Sequence, residues 1–445
     1  MVVGLVAGRR LHGPAHRPVR SRRGRRGPHR GAAAAGSAGC GRRSRQRALR
    51  PARQAPRAAL ARAGKRGAAG RPAVIRPVPP ADGDAHPGTV EWPSVIGTLL
   101  AGQDLDAATA EAAMRVIMAG EAGDAHIAAF LTALRAKGET VGELAGLART
   151  MRAFAEPVPV DGPVVDTCGT GGSRTETFNV STVAAVIAAA AGARVAKHGN
   201  RAASGRCGSA DLLEAWGVAI DLPGEAVAAC VDELGIGFCF APTYHPAMRH
   251  VMPVRTALGV PTAFNLLGPL SNPAGAAHQT VGVADPAVAE TVAGALAQLE
   301  ARHALVFHGA GGLDELTTAG VSPVWRVRDG AVGHEQLDPS ALGLVTSDVG
   351  ELRGGDVAAS AAVAEAVLAD QRGPARDVAV LSAAAALIAA DLDGDWPAAL
   401  ARWTTGSPSG RPRRLRRSAR NTRRRSRSVV PPHTPKYSRL AIASS

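Results

Sequence analysis

From Pro163 onward, short apolar runs of strand length alternate with longer runs of helical period, and no other feature restricts the architecture as much. Strands are read at residues 164–166 and 194–197, and helices at 181–191 and 209–216. Residues 279–284 and 304–308 continue the strand series around a helix at 287–299, and 357–368 and 379–390 supply later helices. Strand–helix alternation of this kind implies a mainly parallel sheet covered by helices.

Before Pro163 the pattern is helical only. Val95, Ile96, Leu99 and Leu100, then Ala108, Ala112, Met114, Val116 and Ile117, fall at amphipathic-helix spacings, and runs at 125–137 and 141–154 follow. Pro157 and Pro159 stop helix and mark a boundary. The expectation is an α/β protein with a small helical domain at 89–158 and a larger α/β domain at 159–403, the active site lying between them.

The flanks have a different composition. Of the 52 basic residues, about 21 lie in residues 1–80 and about 13 after residue 400, with no acidic residue in either stretch. The middle therefore carries roughly −19 against a whole-chain charge of +15, so the basic character belongs to the ends. Residues 1–88 and 404–445 are rich in Arg, Pro, Gly and Ser, a composition that builds no core and is expected to be disordered. Arginine clusters at 22–26 and 42–50, with nearby prolines, break any helix long enough for a targeting peptide. An upstream start codon would account for the first segment, and a frameshifted or replaced end for the second. The five cysteines form no CxxC pair and no zinc spacing, which fits a reduced, cytoplasmic setting. No apolar run reaches the roughly 20 residues of a membrane span, so no membrane partner is expected.

Three segments carry chemistry. The first, Asp166-Thr167-Cys168-Gly169-Thr170-Gly171-Gly172, lies between a strand and a helix, where backbone N–H groups and the helix end suit a phosphate. Alone it is equally an ordinary tight turn, and it is neither a Walker loop nor a dinucleotide fingerprint. The second, Asn179-Val180-Ser181-Thr182, reads first as a helix cap and second as a set of ligands for an oxygen-rich guest. The third, Lys197-His198-Gly199-Asn200-Arg201, followed by Ser204, Arg206 and Ser209, places cations, an amide and hydroxyls after a strand in an otherwise acidic body. Open parallel sheets bind phosphorylated ligands at that edge. Arg255 and the pair Asp314-Glu315, after Gly309, Gly311 and Gly312, complete the set; adjacent acids behind a strand suit magnesium.

In order and spacing, from about Trp92 to Ala390, these segments resemble the anthranilate phosphoribosyltransferases. The family pattern of a GTGGD loop, an N-[IV]-S-T helix start, KHGNR, GSAD, FAP..HPAM, VR..LG..T.FN.LGPL.NP and a final DE pair is met at 169–173, 179–182, 197–201, 208–211, 240–248, 254–273 and 314–315. The resemblance implies that Gly169, Gly172, Thr177, Asn179, Ser181, Thr182, Lys197 and Ser209 surround phosphoribosyl pyrophosphate. Ser173, Val180, His198, Gly199, Arg201, Ala202, Ala203, Ser204 and Gly205 would extend that surface. Asn200 and Arg255 would hold anthranilate, Ser181, Asp314 and Glu315 would serve Mg2+, and Tyr244, His245 and Met248 would line the acceptor entrance, His245 being equally suited to a structural role. No acid–base residue is nominated, because an aryl amine is neutral at pH 7. A homodimer through the helical domain is also implied.

The chain departs from the pattern at Ser173, where the family has Asp, at Gly205, where it has Ser, and beyond Trp403, where a closing helix gives way to arginines. A bare apolar surface and reduced stability would follow from the last. Three other readings compete. A weakened homologue would follow from these departures, whereas a pyrimidine nucleoside phosphorylase lacks KHGNR with GTGG. A nucleic-acid binder would act through the basic ends, where only nonspecific, salt-labile association is expected.

Overall fold

The computed structural model describes residues 90–405 apart from Arg174 and residues 203–205. The expected basic segments at 1–88 and beyond 405 lie outside the described residues.

Four helices come first: α1 (Trp92–Leu100), α2 (Ala107–Ala119), α3 (Asp124–Lys137) and α4 (Val141–Ala153). Local chemistry fixes their ends. Asp106 Oδ1 accepts the Thr109 N–H at 2.7 Å to open α2, which closes on Gly120 at φ 78°. Thr140 and Glu143 form a reciprocal capping box at the start of α4. Glu143 is fully buried and completely occupied: it accepts the Leu105 N–H at 2.8 Å and the Lys137 ammonium at 2.9 Å, and Lys137 also reaches Asp104 at 2.7 Å. Met114, Ile117, Phe130, Leu131, Leu134, Leu144 and Leu147 fill the centre of the bundle.

The second part contains β1 (Val165–Gly169), α5 (Val180–Ala190), β2 (Val195–Gly199), α6 (Ser209–Ala215), α7 (Gly224–Leu234), β3 (Ile236–Phe240) and α8 (Ala241–Tyr244). It continues with α9 (Met252–Leu258), α10 (Phe264–Leu270), β4 (His278–Gly282), α11 (Ala289–Gln298), β5 (His303–Phe307), β6 (Ser322–Arg328) and β7 (Ala331–Leu337). The helices α12 (Val357–Leu368), α13 (Pro374–Ala389) and α14 (Trp396–Thr405) close it. The sheet order is β3-β2-β1-β4-β5-β6-β7, with the first five strands parallel and the last two antiparallel. The chain is thus a helical domain followed by an α/β domain with a mostly parallel mixed sheet.

Helices α5 and α13 pack on each other over one face of the sheet, and α11 covers the other. The bundle is anchored to α11 through α4. A Cβ on Gly294 would come within 2.8 Å of Val141, so the two helices meet almost backbone to side chain. At the end of the described chain, α14 lays Ala399 and Trp403 against the core, both buried. Because β1 pairs with β2 on one side and β4 on the other, strand order reverses there. The carboxyl ends of β1 and β4 therefore flank the crevice where open α/β sheets bind ligands.

Candidate active site

The site grows from the ends of those two strands. Gly169 and Gly282 are register partners, and the Thr170 N–H donates to the Gly282 carbonyl at 2.9 Å. Asp314 sits directly over them. A Cβ on Gly282 would overlap the Asp314 carbonyl oxygen, so that position requires glycine, and one on Gly169 would lie 2.6 Å from Asp314 Oδ2 and push the carboxylate aside. The loop continues through Gly171 and Gly172 at φ 68° and 86°, left-handed conformations that leave its amides free to turn toward an acceptor. Gly171 N–H donates to Asp314 Oδ2 at 2.8 Å. The loop then runs past Leu352, whose carbonyl accepts the Phe178 N–H at 2.9 Å, and Thr177 pairs with Arg353.

The helix α5 starts beside this loop. Asn179 occupies the capping position but makes no capping bond. Its amide instead donates to the Cys207 carbonyl at 3.0 Å, tying the helix start to the segment before α6. The orphan N–H of Ser181 is met by Glu315 Oε1 at 3.2 Å. Lys197, buried at 3% exposure, donates its ammonium to the Thr167 carbonyl and lies 3.5 Å from Ser181 Oγ. One cation, one hydroxyl and the Glu315 carboxylate thus converge on the start of α5, while the adjacent Asp314 carboxylate sits on the glycine loop. Burial and the neighbouring Asp314 charge push the Glu315 carboxyl well above the ordinary carboxylate range, and burial raises Asp314 as well. Two adjacent acids whose joint ionisation is opposed in this way are suited to a divalent cation. Their all-oxygen donors are of the kind magnesium takes in small number, alongside phosphate oxygens.

On the side of β2, Asp166 is fully buried and braces the site from beneath: Oδ1 accepts the His198 N–H at 2.9 Å and Oδ2 accepts the Asn272 amide at 2.7 Å. His198 contacts the Gly268 carbonyl through Nδ1 at 3.1 Å, and its ring lies 5.1 Å from that of His245. Burial drives both imidazoles down, His198 to about 4 and His245 to about 3. Both are therefore neutral at pH 7. Arg255, on α9, is half-buried, with its guanidinium 5.4 Å from the Phe264 ring centre and a long contact to Met252 Sδ. No carboxylate among the described residues pairs with it, and burial lowers its pKa.

The glycine loop, the start of α5, Lys197 and the acid pair, named from sequence, are therefore brought together. Ser209 and Asn200 stand next to them, the serine hydroxyl donating to the Asn200 carbonyl at 3.0 Å. Ser173 turns its hydroxyl to the Thr175 carbonyl at 3.1 Å. Ala203, Ser204 and Gly205 lie outside the described residues. Tyr244, expected at the acceptor entrance, is instead packed among Val158, Val227 and Cys239, with its hydroxyl on the Leu222 carbonyl at 2.7 Å. An apolar ring with one satisfied hydroxyl is well served by a core position, and this tyrosine points away from the crevice. Asp166, Asn272 and Gly282 join the site only in the folded structure. Asp166 was visible as the head of the glycine motif, but the partner that makes it a brace lies 106 residues away.

The described geometry has counterparts among known proteins. The helical bundle domain of a glycosyl transferase family matches residues 93–155, and the a/b domain of the same family matches residues 161–410. The anthranilate phosphoribosyltransferase of Roseiflexus castenholzii is 56% identical over 302 residues, which cover 67% of this chain and 88% of that protein. The chain belongs to the anthranilate phosphoribosyltransferase family. Solved anthranilate phosphoribosyltransferases share its fold. The protein from Thermus thermophilus aligns with a TM-score of 0.69 and 42% identity, over 74% of this chain and 99% of its own. The protein from Saccharomyces cerevisiae, solved in complex with PRPP (phosphoribosyl pyrophosphate) and Mg, aligns with a TM-score of 0.68 and 26% identity, over 74% and 97%.

Proposed function

We propose that this chain transfers the phosphoribosyl group of phosphoribosyl pyrophosphate to the amine of anthranilate, releasing pyrophosphate, as a pentosyltransferase of tryptophan biosynthesis. The observation that carries the reading is the pairing of Asp314 with the Gly171 amide and of Glu315 with the Ser181 amide. These bonds gather a metal-suited acid pair, an anion-suited loop and a helix start at one crevice of the sheet.

In this reading Gly169, Gly172, Thr177, Asn179, Thr182, Lys197 and Ser209 hold the pyrophosphate and ribose. Ser181, Asp314 and Glu315 hold magnesium, which when bound neutralises charge developing on the leaving pyrophosphate. Arg255, a partly desolvated guanidinium with no carboxylate partner among the described residues, faces the anthranilate carboxylate, and Asn200 helps seat the ring. The C1–O bond to pyrophosphate breaks, the C1–N bond forms, and the amine proton leaves to solvent. The protein's part is positioning and electrostatic stabilisation rather than acid–base chemistry. The neutral, buried state of His198 and His245 supports that division. A homodimer and a cytoplasmic setting belong to the same proposal; Leu100, 74% exposed at the end of α1, is the kind of surface a second copy would cover. Among the described residues no helix is long and apolar enough to cross a membrane.

The decisive experiment follows anthranilate fluorescence with phosphoribosyl pyrophosphate and magnesium. Arg255→Ala should raise the KM for anthranilate far more than that for phosphoribosyl pyrophosphate, and equal losses in both would remove its assigned role. Replacing Asp314 and Glu315 together by Asn and Gln should abolish turnover and magnesium-dependent binding of phosphoribosyl pyrophosphate.

A further inference from the structure

Arg201 directly follows Asn200 in the segment leaving β2, and by residue type it invites a role as a phosphate ligand. Its guanidinium is already engaged. Nη1 lies 2.9 Å from Asp211 Oδ1 and 2.5 Å from Glu214 Oε2, Nη2 lies 2.9 Å from Glu214 Oε1, and the group sits 5.6 Å from the Phe240 ring centre. A fork held on two edges and one face has its direction fixed, which a flexible ammonium would not. The arginine pulls Glu214 below the ordinary carboxylate range, so the pair is ionised throughout neutral pH.

The second partner does more than balance charge. Asp211 Oδ2 accepts the N–H groups of both Ala202, at 3.1 Å, and Gly208, at 2.8 Å. One carboxylate thus grips both ends of the segment between them while its other oxygen holds Arg201. The two ends also meet directly: a Cβ on Gly208 would lie 2.5 Å from the Arg201 carbonyl carbon and 2.7 Å from the Asn200 oxygen. That Asn200 oxygen accepts the Ser209 hydroxyl at 3.0 Å and the Ala210 N–H at 3.2 Å.

We propose that Arg201, Asp211 and Glu214 form a clamp that positions Asn200 and Ser209 for substrate, and that Arg201 does not itself touch phosphate. The inference deepens the phosphoribosyltransferase reading and rests on it. It makes Arg201 a positioning residue acting through the loop base, with Glu214, on the exposed side of α6, as its remote anchor.

The test compares Arg201→Ala, Glu214→Gln and their combination, using two measurements on the full chain. The first is binding of phosphoribosyl pyrophosphate with magnesium by calorimetry, alongside KM and kcat. A clamp predicts that both single changes weaken phosphoribosyl pyrophosphate binding, Arg201→Ala the more, because it also removes the contacts to Asp211 and Phe240. The double variant should be no weaker than Arg201→Ala, which already takes away the only partner that Glu214 has in the clamp. The KM for anthranilate should move less. Direct phosphate contact predicts the opposite: Glu214→Gln releases the guanidinium and leaves binding unchanged or tighter, while Arg201→Ala alone weakens it. That pattern overturns the proposal. The second measurement is hydrogen exchange at the Ala202 and Gly208 amides without substrate, which should accelerate in all three variants; unchanged exchange in Glu214→Gln also overturns it. If the parent chain binds phosphoribosyl pyrophosphate but turns over no anthranilate, the functional reading fails while both clamp measurements still stand.

Discussion

Acidification should destabilise this fold through two histidines, and the structure sets the size of the effect. His198 and His245 titrate at about 4 and about 3 in the folded chain, against an imidazole of about 6.5 when unfolded. A depressed folded pKa means that the unfolded state takes up the proton first. The stabilisation is therefore complete above about pH 6.5 and drains away as the pH falls toward 4. At pH 5 the unfolded imidazoles are almost fully charged and the folded ones almost fully neutral, which corresponds to about 2 kcal/mol for each ring. Because both rings are neutral in the fold at pH 5, the two contributions add to about 3 to 4 kcal/mol, a large share of a typical domain's 5 to 15 kcal/mol. Asp314 and Glu315 act in the other direction: their raised pKa values contribute stability at low pH that is lost as pH rises. The measurement must therefore be differential. Urea unfolding of the parent and of a His198→Asn/His245→Asn variant, each at pH 7.5 and pH 5, should show the parent losing about 3 kcal/mol more than the variant. Parallel losses would refute the claim that these two rings are held neutral by burial.

Other expectations follow from single contacts. Lys137→Met would leave the buried Glu143 carboxylate without its cation and should cost about 3 to 5 kcal/mol in chemical unfolding. Gly282→Ala should abolish turnover and lower the melting temperature, because the added methyl overlaps the Asp314 carbonyl; a variant with parental kinetics would show that the acid pair tolerates displacement. Association with duplex DNA, if measurable at low salt, should fall steeply with added salt and vanish when residues 1–88 and 406–445 are deleted, since those segments carry the positive charge.

Much of the architecture was legible in the sequence because buried parallel strands and amphipathic helices leave clear periods. The strands ending at Gly169, Gly199, Gly282 and Phe307 all overlap strands read from the sequence, and α5 and α13 were marked by long, largely apolar stretches. The β6–β7 hairpin was not legible in that way. Its outer strand is almost wholly exposed, so it shows no buried run, although Asp329-Gly330 at φ 47° and 81° is the two-residue turn such hairpins favour. The strand β3 was hidden for a different reason: Phe240 reads as the head of the 240–248 motif, and its alternation with Phe238 went unused. In the site, the residue types of the glycine loop and the acid pair announced themselves, but their mutual bracing did not. Asn179 holds the cap position that its residue type suggests, but its amide is spent on the Cys207 carbonyl, and Arg201, expected on the phosphoribosyl pyrophosphate surface, is tied to Glu214 thirteen residues on.

The seat of Asp314 over Gly169 and Gly282 has a consequence for anyone altering this enzyme. Three stretches of chain, more than thirty residues apart at their nearest, share one small volume, and two of them contribute only by lacking a side chain. Randomising any one of the three while keeping the others fixed should yield almost no survivors. A library that varies the tip of the β6–β7 hairpin should be tolerant, because nothing in the crevice leans on it.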